Sequence, residues 1–322
     1  MVWTILKKIN KNLTLAIPTM MVAGLIFGLM VRATPLKAAI MPLTFLMVYP
    51  MMVNLKIKKV FEGGDSKAQL ITQLINFAII PFFAYGVGLL FFEEEPYMAL
   101  GLLLAALVPT SGMTISWTGF AKGNLAAAVK MTVVGLILGS LATPFYVQFL
   151  MGKSVDINIF SVMRQIVLIV FLPMGVGFAT QQLLVKRYGQ ETFQKVWSPR
   201  FPPLSTLGVL GIVFVAMALK ARQISSEPTL LINIFLPLLI LYGVNFALST
   251  FVGKIFLERG DAIALVYGTV MRNLSIALAV AISSFGEEGS YAALVLCVAY
   301  IIQVQAAAWY VKFTDRIFGA PA

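Results

Sequence analysis

Val108-Pro109-Thr110-Ser111-Gly112-Met113-Thr114-Ile115-Ser116-Trp117 lies in the middle of one apolar run, and Gly268-Thr269-Val270-Met271-Arg272-Asn273 lies in the middle of another. Each run is long enough to cross a membrane, and each is interrupted by proline, glycine or small polar residues. That is the composition of a helix that stops and restarts. Inside a bilayer such backbone is tolerated only where it is buried in protein or lines a cavity. A pair of interrupted helices at corresponding places in two halves of a chain points to the binding site of a secondary transporter. The remaining sequence reads as a frame around this pair.

The composition supports the membrane reading. The chain has 322 residues, 60% hydrophobic and 11% charged, which no soluble domain of this size resembles. The net charge of +11 does not indicate nucleic-acid binding, because the basic residues sit in short loops between apolar spans. There is no His and a single Cys, Cys297, so His-based catalysis, a His metal site and a disulfide framework are excluded. An embedded enzyme would also need an acid or base in the spans, and they contain no His and no carboxylate.

Ten segments reach the roughly 20 apolar residues of a span: 13–33, 36–55, 69–92, 97–118, 125–150, 159–185, 204–220, 229–252, 262–285 and 290–311. The first, after Lys7, Lys8 and Lys11, is not followed by a small-residue cleavage site and is read as a retained helix. The longest loop, 186–203, carries Lys186, Arg187, Lys195, Arg200 and three prolines, and is expected to separate two lobes. Sixteen of the 24 Lys and Arg fall on one side of this pattern and six on the other, which puts both termini in the cytoplasm of a cell with an inner membrane. The two left over, Lys130 and Arg272, fall within spans, so the interior reads as cationic.

An internal repeat follows the same layout. Leu74-Ile75-Asn76 and Tyr85-Gly86-Val87 recur as Leu231-Ile232-Asn233 and Tyr242-Gly243-Val244, both at an offset of 157 residues. Span three thus corresponds to span eight, and Pro109 maps to the start of the second interruption. An odd number of intervening spans inverts the second copy. The expected fold is all-α, with ten membrane helices as two inverted five-helix repeats, 1–150 and 151–322, and with helices four and nine broken.

The run from Pro109 to Phe120-Ala121-Lys122-Gly123-Asn124, together with Ala279-Val280-Ala281-Ile282-Ser283 and Phe285-Gly286, resembles the bile acid/sodium symporter superfamily. Met113 and Trp117 make the arsenite permease branch the nearest in appearance. The resemblance implies a panel domain of spans one, two, six and seven, a core domain of the other six, helices four and nine crossing where they unwind, and alternating access. It also implies sodium ligands, and here the chain departs from the pattern. Thr114, Thr132 and Asn76 stand at sodium-site positions and keep an oxygen, whereas Ile115, Ala128, Gly268 and Arg272 replace the other ligands. The arsenite branch's cysteine after the proline is Thr110, and its helix-nine Glu aligns with Ser275.

The expected function is transport of a small organic anion with little or no coupling to two sodium ions. The alternatives are an arsenite or other oxyanion efflux permease and an organic anion symporter with altered sodium sites. No cofactor is expected beyond whatever sodium a degraded site holds, and the expected partners are the anion and the lipid bilayer. Arg272 is the leading site residue, either as a tethered cation that takes the place of sodium or as a cap on the broken helix. Thr110, Ser111, Thr114, Asn273 and Ser275 are candidate substrate ligands, against the reading that their side chains bond local backbone. Lys130 is either a second tethered cation near the crossing or a residue that snorkels to the interface. Asn76 and Asn233 are expected to bridge unwound backbone. Gly24-x-x-x-Gly28 and Gly135-x-x-x-Gly139 are expected to allow close helix packing, and Cys297 to be core.

Overall fold

The computed structural model describes residues 12–55, 65–155, 158–227 and 229–320. Lys7, Lys8, Lys11, Lys56, Lys58 and Lys59, on which part of the orientation count rests, lie outside them. All regular structure among the described residues is helical. In chain order the helices are α1 (Leu13–Met30), α2 (Ile40–Val53), α3 (Ser66–Phe91), α4 (Pro96–Leu107), α5 (Gly112–Phe120), α6 (Leu125–Met151) and α7 (Ile159–Tyr188). There follow α8 (Phe201–Ser226), α9 (Thr229–Phe256), α10 (Arg259–Val270), α11 (Leu274–Phe285), α12 (Gly289–Val311) and α13 (Thr314–Phe318). Seven helices are long and apolar enough to cross a membrane, those built on α2, α3, α6, α7, α8, α9 and α12.

The expected spans 97–118 and 262–285 are each two shorter helices. Of these, α4, α10 and α11 have 12 residues each. At about 1.5 Å per residue, 12 residues cover about 18 Å, short of the ~30 Å hydrocarbon layer. The expected loop 186–203 is instead largely helical: α7 runs on to Tyr188, and short helical turns fill Gln190–Arg200 ahead of α8. The prolines that suggested a loop occupy first-turn positions, where a missing N–H costs nothing.

Burial is reversed relative to length. The half-length helices form the centre: Met98–Leu107 of α4 and Ala262–Val270 of α10 are buried throughout, as are most residues of α11. The long helices α2, α3, α7 and α9 turn large apolar side chains outward, among them Phe45, Leu70, Phe82, Phe160, Leu183 and Ile232. An apolar exterior this extensive fits contact with acyl chains. Close packing is set by small residues, as expected from the glycine spacing. A Cβ at Gly24 or Gly28 would lie 2.4 or 2.2 Å from a carbonyl oxygen of α8, at Phe214 and Ala218.

Candidate functional site

The two breaks meet. Helix α4 must end before Pro109, since the residue ahead of a proline is pushed out of the helical region, and Val108 is extended at φ −103°, ψ 84°. Helix α10 ends at Met271, also extended. Pro109 and Arg272 pair as an isolated antiparallel bridge, and the Asn273 N–H donates to Val108 O at 2.8 Å. One backbone bond thus ties the two breaks together inside an all-helical core, where an unpaired peptide group would be costly. Helices α5 and α11 start again immediately beyond. Ser111 caps α5: its Oγ accepts from the Met113 N–H at 3.2 Å, and Thr114 Oγ1 accepts from the Ser111 N–H at 3.2 Å. Asn273 caps α11, with Oδ1 accepting from the Ile276 N–H at 3.3 Å. The positive ends of both half-helix dipoles therefore flank the bridge.

Thr110 is held at φ 66°, a conformation that a β-branched residue rarely adopts. Its hydroxyl lies 2.6 Å from Pro109 O and 3.1 Å from Thr132 O, turned toward α6. Gly135 and Gly139 make the room: a Cβ there would sit 2.6 Å from Thr110 Oγ1 and 2.7 Å from Pro109 Cδ. This glycine pair serves the break itself. Thr132 donates to Ala128 O of its own helix at 2.8 Å. Of the hydroxyls expected to meet substrate, Thr110, Ser111 and Thr114 are thus engaged with backbone, and Ser275 with the Tyr300 hydroxyl.

The carbonyl ends of the two incoming half-helices are each met by side-chain N–H groups. The Arg272 Nη1 donates to Ala106 O at 3.0 Å, near the end of α4. On α10, Asn76 of α3 donates to Gly268 O and Asn245 of α9 donates to Thr269 O, both at 3.0 Å. Asn76 therefore meets a carbonyl in the last turn of α10, where the sequence suggests that it bridges unwound backbone. Asn233 does not, because it lies exposed on α9, and Asn245 supplies the second carboxamide instead. Gln303 of α12, fully buried, grips the peptide of residue 272 from both sides. Its Oε1 accepts from the Arg272 N–H at 2.8 Å and from the Tyr242 hydroxyl at 3.0 Å, and its Nε2 donates to Arg272 O at 3.2 Å.

Arg272 is 3% exposed, and its Nη2 has no partner among the described residues. None of the ion pairs among the described residues involves it. Asn273 Nδ2 has only the Met51 sulfur of α2, at 4.0 Å, and a thioether is a weak acceptor. Lys130 is placed elsewhere. Its Nζ lies 3.4 Å from Asp65 Oδ2, so it is matched by a carboxylate that the loop count had left outside the membrane. The crossing therefore gathers Thr110, Ser111, Thr114, Thr132, Asn76, Arg272 and Asn273, with Ser275 one turn into α11. Lys130 belongs to a polar knot at the start of α6. Gln303 and Asn245 went unnoticed in the sequence, where a lone carboxamide in an apolar span such as Gln303 was the available signal, and Asn124 and Arg259 were given no structural part.

Comparison with known proteins follows the same lines. The model of the sodium bile acid symporter family matches residues 41–227. The arsenical-resistance protein Acr3 of Alkaliphilus metalliredigens is 25% identical over 95% of this chain and 92% of its own length. An uncharacterised Bacillus subtilis protein, YbaS, is 23% identical over 65% of this chain and 67% of its own. The sodium/bile acid cotransporter 7-A of Xenopus laevis is 21% identical over 77% of this chain and 74% of its own.

Proposed function

The chain belongs to the sodium bile acid symporter family, and from that premise we propose that this multi-pass membrane transporter carries small organic anions by alternating access, with Arg272 as a tethered cation in place of coupling sodium. Counting α4 with α5 and α10 with α11 as single spans gives ten, arranged as inverted repeats 1–150 and 151–322. The panel is then spans one, two, six and seven, and the core is the rest. The excess of basic residues on one side favours an inner-membrane location with both termini cytoplasmic.

One observation carries the reading. A guanidinium sits buried where two broken helices meet, with one nitrogen unpartnered and no carboxylate paired to it among the described residues. Burying a charge without a counter-charge is costly, and an anionic substrate removes that cost when it binds. Paired N–H···O bonds from a guanidinium suit a carboxylate or an oxyanion. The dipole ends of α5 and α11 and the weakly used Asn273 Nδ2 favour the same charge.

The residues do not fit sodium. Such an ion wants several oxygen ligands, yet of Thr114, Thr132 and Asn76 only Asn76 keeps a buried oxygen, Oδ1, without a partner among the described residues, and the Arg272 guanidinium opposes a second cation. A Cβ at Gly268 would meet Met131 Sδ at 2.8 Å, so the space for a carboxylate there is filled. Efflux of arsenite or a related oxyanion is the second reading, favoured by the 95% coverage of the Acr3 match. Against it, position 110 carries a hydroxyl directed at α6, and the single thiol, Cys297, is fully buried in α12.

A thermal-shift series with pyruvate, taurocholate, arsenate and arsenite, with and without sodium, tests the reading, because a ligand that prefers the folded state raises its melting temperature. Stabilisation by a carboxylate, equal in sodium and in potassium, is expected. Stabilisation by arsenite alone, or only in the presence of sodium, would replace the reading with one of its alternatives.

A further inference from the structure

We infer that the protein is an anion exchanger, carrying one monovalent anion inward for each one carried outward. This rests on the tethered-cation reading above and specifies how that site is coupled. Other cations in the described molecule have partners that offset their charge: Lys130 has Asp65 at 3.4 Å, Arg259 has Asp315 at 2.5 Å, and Lys220 lies over the face of the Tyr291 ring. Arg272 differs. Among the described residues its Nη1 meets the neutral Ala106 carbonyl, its backbone is held by neutral Gln303, and Nη2 has no hydrogen-bond partner. A guanidinium keeps its proton in proteins, so this charge is present at every stage of a transport cycle.

A mobile cation and a tethered one have opposite consequences for the return step. A mobile cation leaves with the anion, and the emptied site goes back without it. A tethered cation stays. The loaded site is then neutral, and the emptied site carries a buried, uncompensated positive charge. Reorienting that charge through a low-dielectric core is disfavoured, and it also works against the membrane potential. The loaded form therefore crosses readily in both directions and the empty form does not, which is exchange. No carboxylate of the protein restores neutrality at the empty site, because none of the ion pairs among the described residues involves Arg272. Charge balances: one monovalent anion enters, one leaves, and no bond is made or broken.

The test uses the full chain in liposomes and labelled pyruvate and taurocholate, the latter below its micellar concentration. Vesicles filled with the same unlabelled anion are compared with vesicles filled with a zwitterionic buffer. Uptake is expected to be at least about tenfold faster into the loaded vesicles, equivalent to about 1.4 kcal/mol in the barrier to empty return. It should also be indifferent to an imposed diffusion potential. Arg272→Lys should keep the loaded-to-empty ratio, because the charge remains. Arg272→Gln should bring the ratio toward one, whatever happens to affinity. Equal uptake into both vesicle sets, accelerated by an inside-positive potential, would overturn exchange and leave the anion-transport reading standing. Uptake into empty vesicles that rises steeply with sodium would overturn the tethered cation as well. Failure of both anions to enter any vesicle removes both proposals.

Discussion

Arg272 combines two duties that respond oppositely to substitution. Its Nη1 satisfies Ala106 O, and an orphaned buried carbonyl costs about 1–3 kcal/mol. Its charge is buried without a counter-ion, a cost that disappears with the side chain. In Arg272→Ala these effects offset, so the melting temperature should change little. Affinity for an anion should fall by about 2–5 kcal/mol, the range for losing one partner of a buried charged hydrogen bond. Both are to be measured on the same preparation. Intact affinity in a well-folded Arg272→Ala protein would restrict the residue to capping. Gln303 separates the two duties. Gln303→Leu strips both polar groups of the residue 272 peptide and should destabilise the fold by about 2–5 kcal/mol. Gln303→Glu keeps an acceptor for the Arg272 N–H and places a carboxylate near the guanidinium. The Glu variant should stay folded while losing anion binding. Unimpaired binding in Gln303→Glu would argue against an anion site beside Arg272.

At the scale of elements, the breaks were legible and their fastenings were not. Pro109 and the small residues around it identify where α4 stops, because proline and its preceding residue are restricted locally. The partners that make a stop tolerable come from distant elements: Asn76 from α3, Asn245 from α9, Gln303 from α12. No local pattern marks them, and the offset of 157 residues pointed to Asn233, which lies one face and three turns away from Asn245. The same holds at the turn between α5 and α6. Asn124 uses its whole carboxamide. Its Oδ1 accepts from the Ala126 and Ala127 N–H groups, and its Nδ2 donates to Asp65 at 3.0 Å and Asp261 at 2.7 Å. Arg259 donates to the carbonyls of Ala121 and Lys122 just past α5, and pairs with Asp315. Both residues counted in the sequence only as motif or loop charge. Asn124→Ala should cost about 0.5–2 kcal/mol from the lost cap alone. Asn124→Asp keeps the cap and sets a third carboxylate against Asp65 and Asp261. Like charges raise a carboxyl pKa, so the variant should be least stable at neutral pH and regain stability as pH falls and one group takes up a proton. Melting curves across mildly acid pH decide this. A variant whose deficit is independent of pH would show that the three carboxyls do not interact.

At the scale of the molecule, the membrane class follows from composition and the family resemblance from the motif stretches around Pro109 and Ala279, while the arrangement proposed to make transport possible lies in contacts between helices far apart in sequence. Two such contacts lie at one end of the helices. Lys37, in the turn before α2, pairs with Glu287 in the turn between α11 and α12, and Lys220 of α8 sits 3.1 Å from the ring centroid of Tyr291 on α12. In the proposed division both lysines belong to the panel and both partners to the core, and in the proposed orientation these ties would hold the outer side shut. Lys37 keeps the Glu287 carboxyl below the ordinary glutamate range. The tie is therefore present at neutral pH and is lost only as pH falls through that lowered value. Exposed ion pairs are individually weak and are screened by salt, so both ties must be removed to see an effect. Met41 and Ser283 lie in contact between α2 and α11, with Sδ and Oγ 3.9 Å apart. A Ser283→Cys reporter in a Cys297→Ser background therefore senses whether α2 and α11 separate. With Glu287→Gln and Lys220→Met added, labelling by an impermeant maleimide supplied from outside should quicken several-fold, and high salt should reproduce part of the change. A reporter that reacts only with reagent supplied inside would invert the orientation. A rate unmoved by either substitution would show that the lysine ties do not hold this side shut.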